Sequence, residues 1–321
     1  MTMLSDRIAT ARSLLFVPGH RPDRFDKAAS SGADLVVIDL EDAVAAEDKD
    51  RARDNAVAWL ALGNQAIVRI NPPGTPWSEA DLSAAADHGC PVMAPEAEDP
   101  AVLADLAART AGRCDLILLI ETALGMERAH EVCTTPGVAR AAFGNVDLAG
   151  QLGVAHDDHA ALAYARAKLV LASAAAGICP PIDGVTTAVR DTDVLTTDIA
   201  RARRLGFTGK LCIHPAQLPA VADGFAPSAE ELHWARAVLH AGDSVTTVDG
   251  QMVDKPLLER ARRVLALAHE PHTAHRGSAA GNVTATGTTA PSDRGLLARP
   301  SPRGGCAAGA RPNCGRAPSG R

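Results

Sequence analysis

Short apolar runs alternate with longer polar, helix-patterned stretches along most of the chain. Residues 13–17, 35–40, 66–70, 91–93, 115–120, 139–143, 178–182 and 210–213 read as strands. They are continuously apolar rather than alternating, the pattern of strands covered on both faces of a parallel sheet. Helical patterns over 22–31, 47–60, 78–86, 100–111, 122–133, 159–176 and 191–205 fall between them. Eight strand–helix units in about 220 residues predict an α/β fold, a closed (β/α)8 barrel. An open doubly wound sheet is the competing arrangement. Its phosphate fingerprint is missing, because the first strand-to-helix turn reads VPGHRP and lacks GxGxxG.

Three segments follow from the pattern: a barrel over 1–225, an extension over 226–270 and a tail over 271–321. The extension reads as helix 228–241, hairpin 244–254 and helix 256–268. It is too small for a domain and is suited to pack on the barrel or on a neighbouring copy. The tail is rich in Gly, Ala, Pro, Thr and Arg without hydrophobic periodicity, so disorder is expected there.

Composition narrows the function classes. The net charge of the 321 residues is −6, but residues 271–321 carry seven arginines against one aspartate, which leaves −12 on residues 1–270. An acidic body argues against nucleic acid as the partner. The seven cysteines, at 90, 114, 133, 179, 212, 306 and 314, form no CxxC pair and read as free thiols of a reducing compartment. Neither a membrane span nor a signal peptide is legible, so a cytoplasmic protein with no membrane partner is expected.

The candidate chemistry lies where strands end. Glu121 closes the run LLI, and Asp147 follows 26 residues later in FGNVD, after the next run. Two carboxylates at the ends of successive strands can share one hard divalent cation such as Mg²⁺. Each could equally cap a helix or close a turn. The second strand ends in Asp39-Leu40-Glu41-Asp42, and three acids directly after a buried run need solvent, partners or a metal. Arg69 ends the third strand and suits either those acids or a substrate carboxylate, its planar fork gripping at two points. His214, after the eighth strand, reads as a structural residue first and an acid/base second. Lys210 begins a strand, which argues against Schiff-base chemistry, and no GxSxG elbow is present.

Seven motifs stand in one order: RSLLFVPG (12–19), DLVVIDLEDAVA (34–45), Arg69-Ile70-Asn71, IETA (120–123), GNVDL (144–148), CIHP (212–215), and GQMVD (250–254) with Pro256. Together they resemble the HpcH/HpaI aldolase and citrate lyase β-subunit family, in its citrate lyase β-like and malyl-CoA lyase branch. The likeness spans about residues 12–268 and leaves out the tail. It implies a Mg²⁺-dependent barrel lyase that cleaves or forms a 3-hydroxyacyl-CoA. Glu121 and Asp147 would ligate the metal, Arg69 would contact the reacting oxygens, and Glu41 and Asp42 would hold waters or orient Arg69. Asp254 would act as acid/base in an adjacent subunit of a homotrimer, and Arg12, Arg21 and Lys27 would meet the coenzyme A phosphates. Two positions depart from the family pattern: Glu96 stands where Leu-Pro-Lys usually ends the fourth strand, and Val146 where an acid usually precedes Asp147. They leave two further functions open, an acyl-CoA thioesterase and an acyl-thioester-binding partner subunit. A phosphotransferase on a similar barrel would need a phosphohistidine or nucleotide site, and neither is legible.

Overall fold

A computed structural model describes residues 3–240, 246–248 and 251–268. The chain opens with helix α1 (Met3–Thr10), then runs β1 (Ser13–Pro18), α2 (Phe25–Ala29), β2 (Leu35–Asp39), α3 (Lys49–Leu60), β3 (Ile67–Arg69), α4 (Ser78–Asp87) and β4 (Val92–Ala94). It continues through α5 (Pro100–Arg109), β5 (Leu116–Ile120), α6 (Ala123–Glu127), α7 (Ala129–Cys133), β6 (Val138–Phe143), α8 (Asn145–Leu152) and α9 (Ala163–Ala176). β7 (Cys179–Asp183), α10 (Thr192–Leu205), β8 (Gly209–Cys212) and α11 (Leu218–Phe225) complete the barrel. The extension holds α12 (Ala229–His240), β9 (Thr246–Val248), β10 (Gln251–Val253) and α13 (Lys255–Leu267).

Strands β1 to β8 pair in sequence order, all parallel, and β8 returns to β1 through Ser13↔Lys210, Leu14↔Leu211 and Leu15↔Cys212. The fold is therefore a (β/α)8 barrel. Continuous apolar strands suit it because both faces are covered. In β5, Ile117 and Leu119 join Leu14, Val37, Ile67, Met93 and Leu211 in the barrel's interior cluster. Leu116, Leu118 and Ile120, on the alternate face, pack with the surrounding helices. The hairpin β9–β10 is antiparallel, with Met252↔Thr247 in register.

The floor of the barrel, where the strands begin, is closed by α1. Arg140 in β6 is fully buried and spends its guanidinium there. Nη1 donates to the carbonyls of Ile8 (2.8 Å) and Ala11 (2.7 Å), Nε to that of Pro180 (2.7 Å) and Nη2 to Thr208 Oγ1 (2.7 Å). Arg12, just before β1, sits at the same floor. Its guanidinium donates to the carbonyls of Ala222 and Leu267, which ties the last turn of α13 to the barrel.

Several expectations change in detail. The single helix expected over 122–133 is two, because Arg128 leaves the helical region (φ −93°, ψ 14°). The helix expected from 159 begins at Ala163, because the Asp158 carboxylate first turns the chain by accepting from the N–H groups of Ala160 and Ala161. Helices α1, α8 and α11 had no counterpart in the pattern. The tail expected to be disordered lies outside the described residues, as do residues 249–250 of the hairpin. Among the described residues no helix is long and apolar enough to cross a membrane.

Candidate active site

The strand ends build one site at the C-terminal rim. β5 delivers Glu121, which is 5% exposed. The chain beside it has no room for a side chain. A Cβ on Gly144 would lie 2.2 Å from Glu121 Cβ and 2.8 Å from its Oε2, so only glycine lets β6 pass so near. On the other side the Glu96 N–H donates to Glu121 Oε1 at 2.9 Å. Glu96 holds a left-handed backbone (φ 47°), an uncommon conformation for a residue with a side chain and a mark of local strain. Burial pushes the Glu121 carboxyl up to about 8. The Glu96 N–H and Arg69 oppose the rise, while Asp147 and Asp42 add to it.

β2 and β3 supply the second half. Arg69 is 8% exposed and gives Asp39 a two-point grip, Nε to Oδ1 at 2.7 Å and Nη2 to Oδ2 at 2.6 Å. Nη1 remains for the rim, 3.2 Å from Asp42 Oδ2 and 2.9 Å from Glu41 Oε2. The contact with Glu41 is an ion pair without hydrogen-bond alignment, so that buried oxygen accepts no hydrogen bond. Burial pushes the Glu41 carboxyl up to about 9. The nearby Arg69 opposes this, but Asp42, Glu121 and Asp39 add to it. The Phe16 ring lies against the guanidinium, 4.9 Å from centroid to Cζ. Lys49, which carried no signal in the sequence, holds the β2 loop by donating to the carbonyls of Leu40 (2.9 Å) and Glu41 (2.8 Å).

Between these groups lies a cavity of about 200 Å³ lined by Glu41, Asp42, Glu96, Glu121, Thr122, Asp147 and Gln151. Five of the seven are carboxylates, a donor set that suits a hard cation and repels an anion unless a cation is present. Asp147 stands in the first turn of α8, and α8 begins immediately after Gly144. The expected pair Glu121 and Asp147 thus lines one cavity, joined by Glu41, Asp42 and the departing residue Glu96. Val146 is exposed. Among the described residues no three or more His, Cys, Asp or Glu side chains form a metal cage.

The remaining candidates scatter. Arg21 follows β1 and pairs with Asp23 at 2.9 Å, and Lys27 is an exposed residue of α2. Arg12 requires a correction. It precedes β1, at the floor, with its guanidinium buried against Leu267 and Ala222, so it cannot reach a coenzyme at the rim. Asp254 caps α13, its Oδ1 accepting from the Leu257 N–H at 3.2 Å. His214 Nδ1 accepts from the Ala216 N–H and caps the turn after β8. Lys210 pairs with buried Asp183 at 3.1 Å. Besides Lys49, the lining residue Gln151 escaped the sequence reading, and Thr122 and Gly144 entered it only inside the IETA and GNVDL motifs, without a role. Of these only Gly144, a glycine directly after an apolar strand, carried a usable signal.

Known proteins resemble this chain in sequence and in fold. The family model for HpcH/HpaI aldolase/citrate lyase matches residues 12–215. A citrate lyase subunit beta-like protein of Mycobacterium tuberculosis is 38% identical over 267 residues, covering 80% of this chain and 95% of the relative. A (3S)-malyl-CoA thioesterase of Cereibacter sphaeroides is 34% identical over 273 residues, covering 80% and 94%. The crystal structure of the protein CitE from Mycobacterium tuberculosis in complex with magnesium, acetoacetate and coenzyme A is similar at a TM-score of 0.70 and 35% identity, covering 82% of this chain and 99% of that one. Motif order, barrel closure, rim carboxylates and these matches agree, and the chain belongs to the HpcH/HpaI aldolase/citrate lyase family.

Proposed function

We propose that the chain is a Mg²⁺-dependent carbon–carbon lyase that cleaves, or in reverse forms, a 3-hydroxyacyl-CoA of malyl, citramalyl or citryl type. The observation that carries this reading is that Glu121 and Asp147 line one rim cavity with Glu41 and Asp42, the two acids that Arg69 Nη1 approaches. The residues fit a divalent cation. Glu121 is buried with a raised proton affinity, Gly144 leaves its carboxylate free of a neighbouring side chain, and Glu41 keeps an unpartnered buried oxygen. When bound between Glu121 and Asp147, the cation would supply Lewis-acid charge for a substrate carboxylate and hydroxyl.

This chain's residues then divide the work. Arg69 is fixed by Asp39, so its Nη1 offers a preorganised positive charge to an oxygen that becomes negative. Glu41 and Asp42 set the direction of Nη1. The hydroxyl proton passes to a rim carboxylate, and the bond between the carbinol carbon and the thioester α-carbon breaks. Its electron pair stays on the α-carbon as the enolate, and Asp254 of a neighbouring copy in a homotrimer protonates that carbon. A 2-oxo acid and an acyl-CoA leave. Arg21 and Lys27 are the proposed contacts to the coenzyme A phosphates. The acidic body and the free thiols are consistent with a cytoplasmic site of action.

The relative named as a thioesterase favours one alternative, hydrolysis of the same ester. One assay separates the two. Malyl-, citramalyl- and citryl-CoA are incubated with Mg²⁺ or with EDTA, and 2-oxo acid and free thiol are measured separately. Metal-dependent 2-oxo acid without free thiol is expected. Thiol without 2-oxo acid establishes the thioesterase, and neither product from any ester refutes both readings.

A further inference from the structure

The residues that line the rim cavity include five acids and no cation, and four of the acids have an evident task. Glu121 and Asp147 are the proposed ligands of the metal. Glu41 and Asp42 share Nη1 of Arg69, at 2.9 and 3.2 Å. Glu96 has neither role. Among the described residues its carboxylate pairs with no cation and accepts no hydrogen bond. Its main chain, by contrast, is fixed. The N–H donates to Glu121 Oε1 at 2.9 Å, and Pro95 and Ala97 on either side are buried. Glu96 thus stands beside a proposed metal ligand and adds an unpaired negative charge to the wall that substrate meets.

The positive groups nearby do not offset that charge. Arg69 gives Nε and Nη2 to Asp39. Lys49 is buried behind the wall and donates to the carbonyls of Leu40 and Glu41. Burial keeps protons on Glu121 and Glu41 up to about 8 and about 9, so at neutral pH without metal the wall's charge comes from Asp42, Glu96 and Asp147. A divalent cation that displaces the Glu121 proton sets two positive charges against four carboxylates, and the wall stays negative. One substrate carboxylate can face the cation. A second finds no cation on this wall. A group held in a cavity of about 200 Å³ lies closer to the lining acids than the screening length of about 8 Å, so dissolved salt does not hide them.

The three esters named above differ at the carbinol carbon, which carries hydrogen in malyl-CoA, methyl in citramalyl-CoA and a carboxymethyl group in citryl-CoA. Resting on that lyase reading, we propose that Glu96 is a specificity residue. It admits 3-hydroxyacyl-CoA esters whose carbinol carbon carries hydrogen or a short uncharged group, and it turns away those with a second carboxylate there.

Two variants change the charge and keep the N–H that Glu121 accepts: Glu96→Gln removes it at equal size, and Glu96→Lys reverses it. Pyruvate and oxaloacetate, the 2-oxo acids that citramalyl- and citryl-CoA would release, are titrated by calorimetry into the full-length protein at saturating Mg²⁺. Tm is recorded for each variant to confirm the fold. The wild type should bind pyruvate more tightly than oxaloacetate. Each unit of charge changed at this partly solvated position should shift the ratio by about tenfold, so Glu96→Gln lowers the preference about tenfold and Glu96→Lys about a hundredfold. The ratio of kcat/KM for citramalyl-CoA to that for citryl-CoA should move in the same direction. A wild type that prefers oxaloacetate or neither acid, or a preference that both variants leave unchanged, overturns Glu96 as the specificity residue and leaves the lyase reading standing. If neither acid binds to the wild type or to either variant, the lyase reading falls and this inference with it.

Discussion

Alanine at Gly144 puts a methyl where the wall of the cavity has no space. Its Cβ would meet Glu121 Cβ at 2.2 Å, Glu121 Oε2 at 2.8 Å and Glu121 Cα at 3.2 Å. Carbon atoms prefer about 3.5–4.0 Å, so one of the two chains must move by more than ~1 Å. Neither has an easy path. Glu121 continues directly from β5, and Gly144 donates its N–H to the Ile120 carbonyl at 3.0 Å. Overpacking of this kind costs about 1–3 kcal/mol. For a protein of this size the loss lowers Tm by roughly 2–4 °C per kcal/mol, hence by about 2–12 °C. The functional cost is larger, because a catalytic group displaced by about 1 Å commonly loses ~10²-fold in rate. Gly150 is the matched control. It lies within α8, the helix that Gly144 precedes, with nothing within 4 Å of its would-be Cβ, so Gly150→Ala should hold or slightly raise Tm and leave turnover unchanged. Mg²⁺ affinity by calorimetry, Tm and lyase turnover are measured on both variants. If Gly144→Ala retains wild-type Mg²⁺ affinity and turnover, Glu121 does not depend on that close approach and the metal assignment falls with it.

Glu121→Ala and Asp147→Ala should each abolish turnover and reduce Mg²⁺ affinity below detection by calorimetry, with the far-ultraviolet spectrum unchanged; wild-type activity in either refutes the pair as ligands. Mg²⁺ should bind more tightly as pH rises from 7 toward 9 and should release protons, because Glu121 and Glu41 hold theirs up to about 8 and about 9 without metal. The sign for stability is opposite. Carboxyls with raised values favour the metal-free fold fully below about 4.5, and that contribution is lost as pH climbs through about 8–9, so its Tm should fall across that window while saturating Mg²⁺ offsets the fall. A Tm that rises over that window without metal contradicts the burial of these carboxyls. Asp254→Asn subunits mixed with Glu121→Ala subunits should recover partial activity through hybrid sites, and no recovery in confirmed mixed oligomers places Asp254 outside the reaction.

Much of this was readable because strand ends carry their own signature. An apolar run of five residues that stops at an acid, as LILLI stops at Glu121, places the acid at the rim of a parallel barrel. The same reasoning located Asp39, Glu41, Asp42 and Arg69, and the structure decides only which carboxylate Arg69 takes. Helix α8 was not legible, since NVDLAGQL carries two residues with strong backbone preferences against helix, Gly150 and Asp147, and its formation depends on burial of Leu148 and Ala149. The resemblance grouped Arg12 with Arg21 and Lys27, but Arg12 precedes β1 and the other two follow it, and a residue that precedes a strand belongs at the opposite end of the barrel from one that follows it. The left-handed Glu96 leaves no trace in composition, because glutamate carries no preference for that conformation and the bond that accompanies it, from its N–H to Glu121, is a tertiary contact.

Arg140 has a consequence for the order in which the chain can be assembled. Its partners come from both ends of the barrel: Ile8 and Ala11 from the start, Pro180 and Thr208 from the close. A growing chain that has produced β6 holds a guanidinium without its later acceptors, and β1 has a bare edge until Lys210–Cys212 leave the ribosome. Half-made barrels therefore expose a charged floor and an unpaired strand together, the state in which parallel sheets are slow to finish and prone to aggregate. Because β8 and the Thr208 hydroxyl arrive within five residues of each other, the last strand brings edge pairing and charge satisfaction in one event. Truncation before residue 208 should yield insoluble protein, whereas interruption after the barrel has closed should not.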